Sequence, residues 1–272
     1  MPEFPIREFI APPKPEQFKF IEWKTDDGVA RLTLQRPPYN VLNTAMLQEI
    51  AVSIESLADA AEVKCLVIRS ACDRVFCGGI DPDEYSAPQV FQMIDAFHHI
   101  FVASIEASKA TIVAVDGAAL GGGCELAALG DIVLATPRAR FALPEITKLG
   151  IFPPFAATLF PSILGARRTM EMVLTGDTMT AKQAQEYGLV NRVVPEKHLE
   201  GAVEELVAKL SQQSGPVLQL TKRAILEAMG KTFRDALRNT EDIFLNELSK
   251  LEDPREGLQA VLEKRKPKWK NR

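Results

Sequence analysis

TIVAVDGAALGGGCELAALGD, residues 111–131, joins an apolar run to a turn, three consecutive glycines and a second apolar stretch. Thr111 to Val115 predicts a buried strand, Asp116-Gly117 a turn, and Cys124 to Leu129 a helix. Glycine loses more backbone entropy on folding than any other residue. Three in a row therefore indicate positive φ angles or the close approach of another group, and the second explanation leaves room for a ligand.

The glycines lead into the predicted helix, whose first N–H groups have no partner within the helix and favour negative charge. Glu125 lies in the first turn, which the helix dipole alone would also explain. The residues around the glycines exclude both common types of nucleotide-binding loop. No Lys-Ser or Lys-Thr follows the glycines, and Leu126 stands where a GxGxxG motif beginning at Gly121 needs its last glycine.

Composition predicts an ordinary globular protein. The 272 residues are 46% hydrophobic and 25% charged, enough to bury the core of one or two domains. A net charge of −4 disfavours nucleic-acid binding, and no stretch is long enough to span a membrane. Residues 1–17 contain five prolines and no signal-like apolar core, which predicts an extended arm and a cytoplasmic protein. The four cysteines include no CxxC pair, so no disulfide framework is expected.

Strands that alternate with helices predict a largely parallel α/β sheet. Asp26-Asp27-Gly28 is typical of a hairpin turn, and Val75 to Asp81 repeats the pattern of a strand followed by glycines. Ligands in such sheets bind beyond the carboxyl ends of the strands, where both glycine turns fall. We predict strands over 18–23, 29–34, 64–69, 111–115, 131–135 and 189–194, and helices over 44–61, 88–107, 155–175, 180–187, 197–213, 216–230, 233–251 and 254–264.

Two glycine turns and two acids can form one site. Gly78 and Gly122 each offer a backbone N–H, and together these would form an oxyanion hole. Glu125 and Glu145 flank the same predicted sheet edge, where a carboxylate pair could transfer protons to and from a polarised carbonyl compound.

Several segments resemble the crotonase, or enoyl-CoA hydratase, superfamily. Together they cover nearly the whole chain after the arm, although any one of them alone would be weak. They are RPPYNVLN (36–43), FCGGID (76–81), VDGAALGGGCELAALGD (115–131), FALPEITKLGIFP (141–153), LTGDTMTAKQAQEYGLVNRVV (174–194) and EGLQAVLEKRKPKW (256–269).

The resemblance implies a spiral of ββα units with a helical C-terminal region, assembled as homotrimers that often pair into hexamers. It implies domains at 18–196 (core and site) and 197–272 (helical region), after the arm. The implied substrate is an acyl-CoA thioester, with no metal and no cofactor beyond the CoA of the substrate. The oxyanion hole maps to Gly78 and Gly122. Glu125 maps to the base and Glu145 to the acid, and one glutamate can perform both steps.

Further residues are assigned to substrate or CoA binding, although each has a simpler explanation. Cys77 also fits as small buried filler, Asp81 as a residue that fixes its own loop, and Arg36 as an ordinary charged side chain instead of a ligand of CoA phosphates. The basic tail, residues 264–270, presents the same choice between CoA phosphates and solvent. The expected binding residues are Arg36, Cys77, Gly79, Ile80, Asp81, Gly121, Phe152 and Pro153.

The chain departs from the family pattern in two places. Gly78 stands where many members have Ala or Ser, a mild change because the main chain donates. Residues 152–157, FPPFAA, replace the glycine-rich run of straight-chain hydratases, and with RPPYNVLN they resemble cyclohexa-1,5-diene-1-carbonyl-CoA hydratases. A cyclic dienoyl-CoA of anaerobic aromatic degradation is therefore the expected substrate. The alternatives are a straight-chain hydratase of fatty-acid β-oxidation, an isomerase or ring hydrolase, and a non-catalytic or RNA-binding homologue.

Overall fold

The computed structural model describes residues 18–86 and 89–272, so the predicted arm lies outside it. The strands, in chain order, are β1 (Ile21–Asp26), β2 (Val29–Leu34), β3 (Cys65–Ser70), β4 (Val75–Cys77), β5 (Ala110–Val115), β6 (Ala118–Leu120), β7 (Ile132–Ala135), β8 (Arg140–Ala142), β9 (Met179–Thr180) and β10 (Arg192–Val193). The helices are α1 (Thr44–Glu55), α2 (Gln89–Ala107), α3 (Gly122–Ala127), α4 (Glu145–Leu149), α5 (Pro154–Leu164), α6 (Ala166–Thr175), α7 (Ala181–Tyr187), α8 (Leu199–Ser211), α9 (Gly215–Ala228), α10 (Phe233–Asn246) and α11 (Asp253–Leu262).

The larger sheet has six strands in the order β1-β2-β3-β5-β7-β10. β1 and β2 form the predicted hairpin, and every other neighbouring pair in this sheet is parallel. β3 and β5 are almost continuously buried because helices cover both faces. A large apolar cluster lies on the side of α1 and α2, and a smaller one lies beneath α8. The prediction of a mostly parallel α/β fold is confirmed.

The smaller sheet, β4-β6-β8-β9, positions the candidate site. β4, β6 and β8 are parallel neighbours, so their carboxyl ends meet at one edge. β4 leads into Gly78, β6 into Gly121 and β8 into Glu145, which brings three predicted site segments together. The sequence did not predict β6, because a three-residue strand between Gly117 and Gly121 is too short to show a period.

Three predicted helices are wrong in their extent. The helix predicted over 44–61 ends at Glu55, and the one predicted over 233–251 ends at Asn246. Residues 155–175 form α5 and α6 instead of one helix, because Gly165 adopts φ 80° and ψ 152°, which an α-helix cannot contain. Among the described helices, none combines the length and apolar character of a membrane span.

The C-terminal helices α9 to α11 carry many exposed apolar side chains, among them Ile225, Phe233, Phe244 and Val261. The basic tail folds back on them. Asp253, fully buried, accepts hydrogen bonds from the backbone N–H groups of residues 270 and 271 at 2.6 and 2.9 Å. The tail backbone is therefore anchored to its own chain.

Candidate active site

Gly121 is the point where β6 turns into α3. Its φ of 52° and ψ of −128° belong to a region of backbone conformation that residues other than glycine rarely adopt. A Cβ on Gly121 would also lie 2.5 Å from Oε1 of Glu145. Both explanations considered for the glycine run therefore apply here, and the group that approaches the chain is a carboxylate.

Glu125 lies in the first turn of α3 and is 3% exposed. Its Oε1 accepts a hydrogen bond from the Ala156 N–H at 2.6 Å, which ties it to the start of α5. Burial raises the pKa of Glu125 to about 8, the charge of Glu145 adds to the effect, and the Ala156 bond opposes it. Such a carboxyl can exchange a proton near neutral pH.

Glu145 begins α4 and is 5% exposed. Its Oε2 is buried without a hydrogen-bond partner among the described residues, and burial raises the pKa of this carboxyl as well. A buried polar atom without a partner costs free energy unless a ligand or solvent satisfies it. The two glutamates predicted to work together thus share one edge of the sheet, and each is held away from bulk water.

The Gly78 amide does not have the freedom that its predicted role requires. Its N–H donates to the carbonyl oxygen of Tyr39 at 2.8 Å, so it points into the protein. The N–H of Gly122, the first residue of α3, has no acceptor among the described residues, as is usual in the first turn of a helix.

The Ile80 amide takes the position expected of Gly78. Leu42 donates to the Gly79 carbonyl and accepts from the Asp81 N–H, both at 2.8 Å, so the N–H of Ile80 between them points to the opposite side. A Cβ on Gly122 would lie 3.6 Å from this nitrogen. Among the described residues the Ile80 N–H has no acceptor, so the amide available beside that of Gly122 belongs to Ile80 and not to Gly78.

Asn40 fixes this arrangement, although no sequence pattern singled it out. Fully buried at φ 48°, it donates from Nδ2 to the carbonyl oxygen of Phe76 at 3.0 Å and accepts from the Arg36 N–H at 2.7 Å. Its own carbonyl oxygen lies 3.1 Å from the Cys77 sulfur. Asn40 therefore ties the loop of residues 36–40 to β4, the strand that precedes Ile80.

Three predicted binding residues are used inside the protein. The Arg36 guanidinium donates to the carbonyl oxygen of Val41 and lies 3.7 Å from the Asp81 carboxylate. Asp81 also caps the short turn that follows it, in agreement with the simpler explanation for this residue. Cys77 is fully buried, and burial raises the pKa of its thiol to about 12, so it fits the role of buried filler. A CoA contact for Arg36 remains a prediction.

Some residues of the loop 152–157 are exposed and others are buried. Phe152 is 63% exposed, whereas Pro153 is buried. Phe155, immediately before the Ala156 amide that binds Glu125, stacks on Phe101 of α2 at a centroid distance of 4.8 Å. Phe97 meets Phe155 edge-on at 4.6 Å. Phe97, Phe101 and Phe155 therefore form an aromatic cluster next to the backbone amide that binds the Glu125 carboxylate.

The family sequence model described as enoyl-CoA hydratase/isomerase matches residues 24–272. The chain belongs to the enoyl-CoA hydratase/isomerase family. It is 37% identical to 2,3-dehydroadipyl-CoA hydratase of Escherichia coli (strain K12), over 90% of this chain and 96% of that one. It is 30% identical to cyclohexa-1,5-dienecarbonyl-CoA hydratase of Thauera aromatica, over 92% and 96%.

Solved structures of this family share the fold. An enoyl-CoA hydratase from Bacillus anthracis superposes with a TM-score of 0.87 at 28% identity, covering 93% of this chain and 100% of that one. One from Mycobacterium smegmatis gives 0.86 at 27% identity, covering 93% and 99%. The crotonase-like architecture is thus confirmed, and the chain is an enzyme of the hydratase type.

In this member of the enoyl-CoA hydratase/isomerase family, the burial of Glu125 should make the free energy of unfolding depend on pH. A carboxyl whose pKa is raised by folding stabilises the native state below the unfolded value, 4.5, and loses that contribution as the pH rises to about 8. We expect the unfolding free energy of the wild type, relative to Glu125→Gln, to fall by a few kcal/mol, on the order set by the pKa shift, between pH 5 and 9. Urea unfolding of both proteins measures this, and a constant difference would contradict it.

Proposed function

We propose that this enzyme adds water across the Cα=Cβ bond of an enoyl-CoA thioester. The observation that supports this is the placement of two buried carboxyls, Glu125 and Glu145, at the sheet edge that also presents the free amides of Ile80 and Gly122. Hydration needs both kinds of group, because negative charge builds on the thioester oxygen while the water that attacks Cβ loses a proton and Cα gains one.

In the proposed reaction the Ile80 and Gly122 N–H groups donate to the thioester oxygen and stabilise the enolate. Removing one such donor typically costs about 3 kcal/mol of barrier. Glu125, in its ionised form, accepts a proton from the water while the water oxygen bonds to Cβ. Glu145, protonated, delivers a proton to Cα, so that one water is consumed and both atoms of the former double bond are saturated. No group beyond the CoA of the substrate is required in this scheme.

The two roles demand opposite protonation states. Glu125 must be ionised, so kcat/KM should rise with pH until its pKa near 8 is passed, and Glu145 must keep its proton over the same range. Burial favours the protonated form of both carboxyls. The second ionisation is then held back by the charge of the first.

We propose a cyclic dienoyl thioester as the acyl group, with cyclohexa-1,5-diene-1-carbonyl-CoA the first candidate. Support comes from the aromatic cluster, because a flat six-membered ring can pack on Phe155 whereas a long chain needs a channel past it. The Thauera aromatica relative bears that substrate in its name. The second candidate is an open-chain enoyl-CoA, which the name of the Escherichia coli relative favours.

A panel of thioesters tests the proposal. Crotonyl-CoA, 2,3-dehydroadipyl-CoA, 2-decenoyl-CoA and cyclohexa-1,5-diene-1-carbonyl-CoA are incubated with the enzyme, and single-turnover rates are followed with product mass. Hydration adds 18 daltons, the mass of one water, whereas isomerisation leaves the mass unchanged. We expect the cyclic substrate to react fastest. A clear preference for an open chain would reject the cyclic assignment, and no gain of mass with any thioester would reject hydration.

Phe155→Ala should change the acyl preference of the enzyme. Removing the ring opens space beside Phe97 and Phe101, so the ratio of kcat/KM for 2-decenoyl-CoA to that for the cyclic thioester is expected to rise at least tenfold, the equivalent of about 1.4 kcal/mol. Phe152→Ala is the matched control, because that ring belongs to the same loop but is exposed. An equal change of the ratio in both variants would contradict the role of Phe155.

We also propose that the chain assembles as a homotrimer or a pair of trimers. The exposed apolar side chains of α9, α10 and α11 support this, because a monomer rarely leaves so much apolar surface in contact with water. Light scattering after gel filtration should give about three or six times the chain mass of 30.0 kDa. A monomer at micromolar concentration would reject the proposal.

A further inference from the structure

The Ile80 amide lies in a short segment that continues beyond the end of β4. Residues 78–81 pair there with residues 39–42 at an isolated bridge and not as part of a longer strand. The Ile80 side chain packs directly on the start of α3, because a Cβ on Gly122 would lie 2.8 Å from Cγ1 of Ile80. A small shift of this segment would therefore change the spacing and direction of the two N–H groups assigned to the thioester oxygen.

The Arg36 side chain links the two paired segments. Its guanidinium donates to the carbonyl oxygen of Val41, which points away from the opposite segment because Val41 precedes the bridge residue Leu42. The same guanidinium lies 3.7 Å from the carboxylate of Asp81, the residue that follows Ile80. Arg36 therefore joins the two segments through its side chain, in addition to the backbone hydrogen bonds between them.

Arg36 is itself held in place. Its N–H donates to Oδ1 of Asn40 at 2.7 Å, and its carbonyl oxygen accepts from the Asn40 N–H at 2.8 Å. The guanidinium carbon lies 5.6 Å from the centroid of the Phe20 ring, a favourable position for a cation over an aromatic face. The Arg36 and Asp81 side chains are 28% and 29% exposed, and an ion pair so accessible to water adds little stability. These contacts explain a fixed geometry better than they explain a stable fold.

We propose that Arg36 is a positioning residue that holds the Ile80 N–H toward the thioester oxygen. It acts through its contacts with Val41 and Asp81, one on each of the paired segments. The inference rests on the proposed function in one point, the assignment of that oxygen to the Ile80 and Gly122 amides. It gives Arg36 an internal role in place of the expected contact with CoA phosphates. Two donors stabilise an oxyanion fully only when both are aimed at it, and a displacement of about 1 Å can cost about a hundredfold in rate.

The first test reads the polarisation of the carbonyl group without turnover. A saturated acyl-CoA with an isotope-labelled thioester carbonyl is bound to the enzyme, and the carbonyl stretching frequency is measured by infrared difference spectroscopy. Hydrogen bonds to the oxygen lower this frequency. We expect Arg36→Gln to raise the frequency above its value in the wild type, because one of the two donors is no longer aligned. An unchanged frequency in Arg36→Gln would overturn the positioning role.

Arg138→Gln is the matched control. The Arg138 side chain, 32% exposed, pairs with the Asp116 carboxylate at 2.6 Å. Both residues precede strands of the smaller sheet, β8 and β6, so this pair lies at the amino ends of the strands and the candidate site lies at their carboxyl ends. Arg138→Gln should keep the carbonyl frequency and the kcat of the wild type. A frequency shift as large as that of Arg36→Gln would overturn the proposal, because a general loosening of the fold would then explain both.

The second test separates positioning from CoA binding. Free CoA has no thioester oxygen, so its affinity, measured by calorimetry, should be nearly unchanged in Arg36→Gln. With the preferred thioester, kcat should fall about 10- to 100-fold while KM changes little. A loss of CoA affinity at unchanged kcat would overturn the positioning role in favour of a phosphate contact.

The third test asks whether Arg36 acts through Asp81. Asp81→Asn removes the charge but keeps an oxygen that can cap the following turn. If the two side chains work as a unit, the variant that carries both substitutions should lose no more kcat than Arg36→Gln alone. Losses that multiply in the double variant would overturn the action through Asp81.

The outcomes separate the two proposals. If the wild type hydrates no thioester, the proposed function fails, and the carbonyl frequencies still decide the role of Arg36. If the wild type hydrates the thioesters while Arg36→Gln matches Arg138→Gln in carbonyl frequency, kcat and CoA affinity, the role of Arg36 is overturned and the proposed function stands.

Discussion

Replacing either Glu125 or Glu145 by glutamine is expected to abolish hydration while binding of the CoA thioester remains nearly unchanged. Glutamine keeps the size of the side chain but cannot take or give the proton, and a general acid or base is worth about a hundred- to ten-thousand-fold in rate. The Ile80 and Gly122 amides, which in the proposed reaction hold the thioester oxygen, are backbone groups and do not depend on either carboxyl. Single-turnover rates with the preferred thioester measure the first effect, and calorimetry with its saturated analogue measures the second.

Glu49→Gln is the matched control, because Glu49 is as deeply buried as the site glutamates but binds the backbone N–H groups of residues 19 and 20. It should lose stability and keep its rate. Full activity in Glu125→Gln or Glu145→Gln would end the assignment of two cooperating carboxyls. A loss of thioester binding equal to the loss of rate would instead show that the carboxyls shape the pocket and do no chemistry.

The order of strands and helices was largely predictable because it rests on local periodicity. The hairpin around Asp26-Asp27-Gly28, the buried strand β3 and the amphipathic C-terminal helices each carry a pattern that a short window of sequence contains. Glu125 and Glu145 were also found, through the glycine turn and the family motifs. Their approach depends on β6 and β8 being parallel neighbours, which no local pattern shows.

The oxyanion donors show where sequence reasoning ends. FCGGID offers several adjacent amides, and the composition of the motif favours a glycine because glycine is the residue that allows close approach. Which N–H points into the site depends on how this segment pairs with residues 39–42, and that pairing directs Gly78 inward and Ile80 outward. Backbone N–H groups point alternately to opposite sides of an extended chain. This alternation would have identified the donor if the segment that pairs with FCGGID had been known.

Phe155 was not singled out for a related reason. It belongs to the run FPPFAA, which the sequence analysis recognised, but only Phe152 and Pro153 of that run were assigned to binding. Phe152 and Phe155 are indistinguishable by composition, yet one is on the surface and the other stacks on Phe101. Side-chain direction within a short turn is a property of tertiary contacts and cannot be inferred from the order of residues in FPPFAA.

Gly121→Ala is expected to remove activity almost as completely as the loss of Glu145. A methyl group at this position would lie 2.5 Å from Oε1 of Glu145, well inside contact distance. The carboxylate is the end of a flexible side chain, so it is the group that yields, and it moves away from the place where it delivers its proton. We expect a fall of kcat of about 10²- to 10⁴-fold, together with about 1–3 kcal/mol of lost stability from the strained backbone and the collision with the carboxylate together.

Gly165→Ala separates the two parts of this effect. Gly165 also has a positive φ, 80°, but a Cβ there would meet no atom within 4 Å, so alanine should cost stability without changing the rate. In a Glu145→Ala background, where the colliding carboxylate is absent, Gly121→Ala should cost no more stability than Gly165→Ala does in the wild type. Gly121→Ala could instead keep its rate, or lose as much stability with Glu145 removed as with it present. Glycine at position 121 would then be required only for the backbone conformation of the turn. The position of the Glu145 carboxylate beside the main chain would then have no part in the reaction.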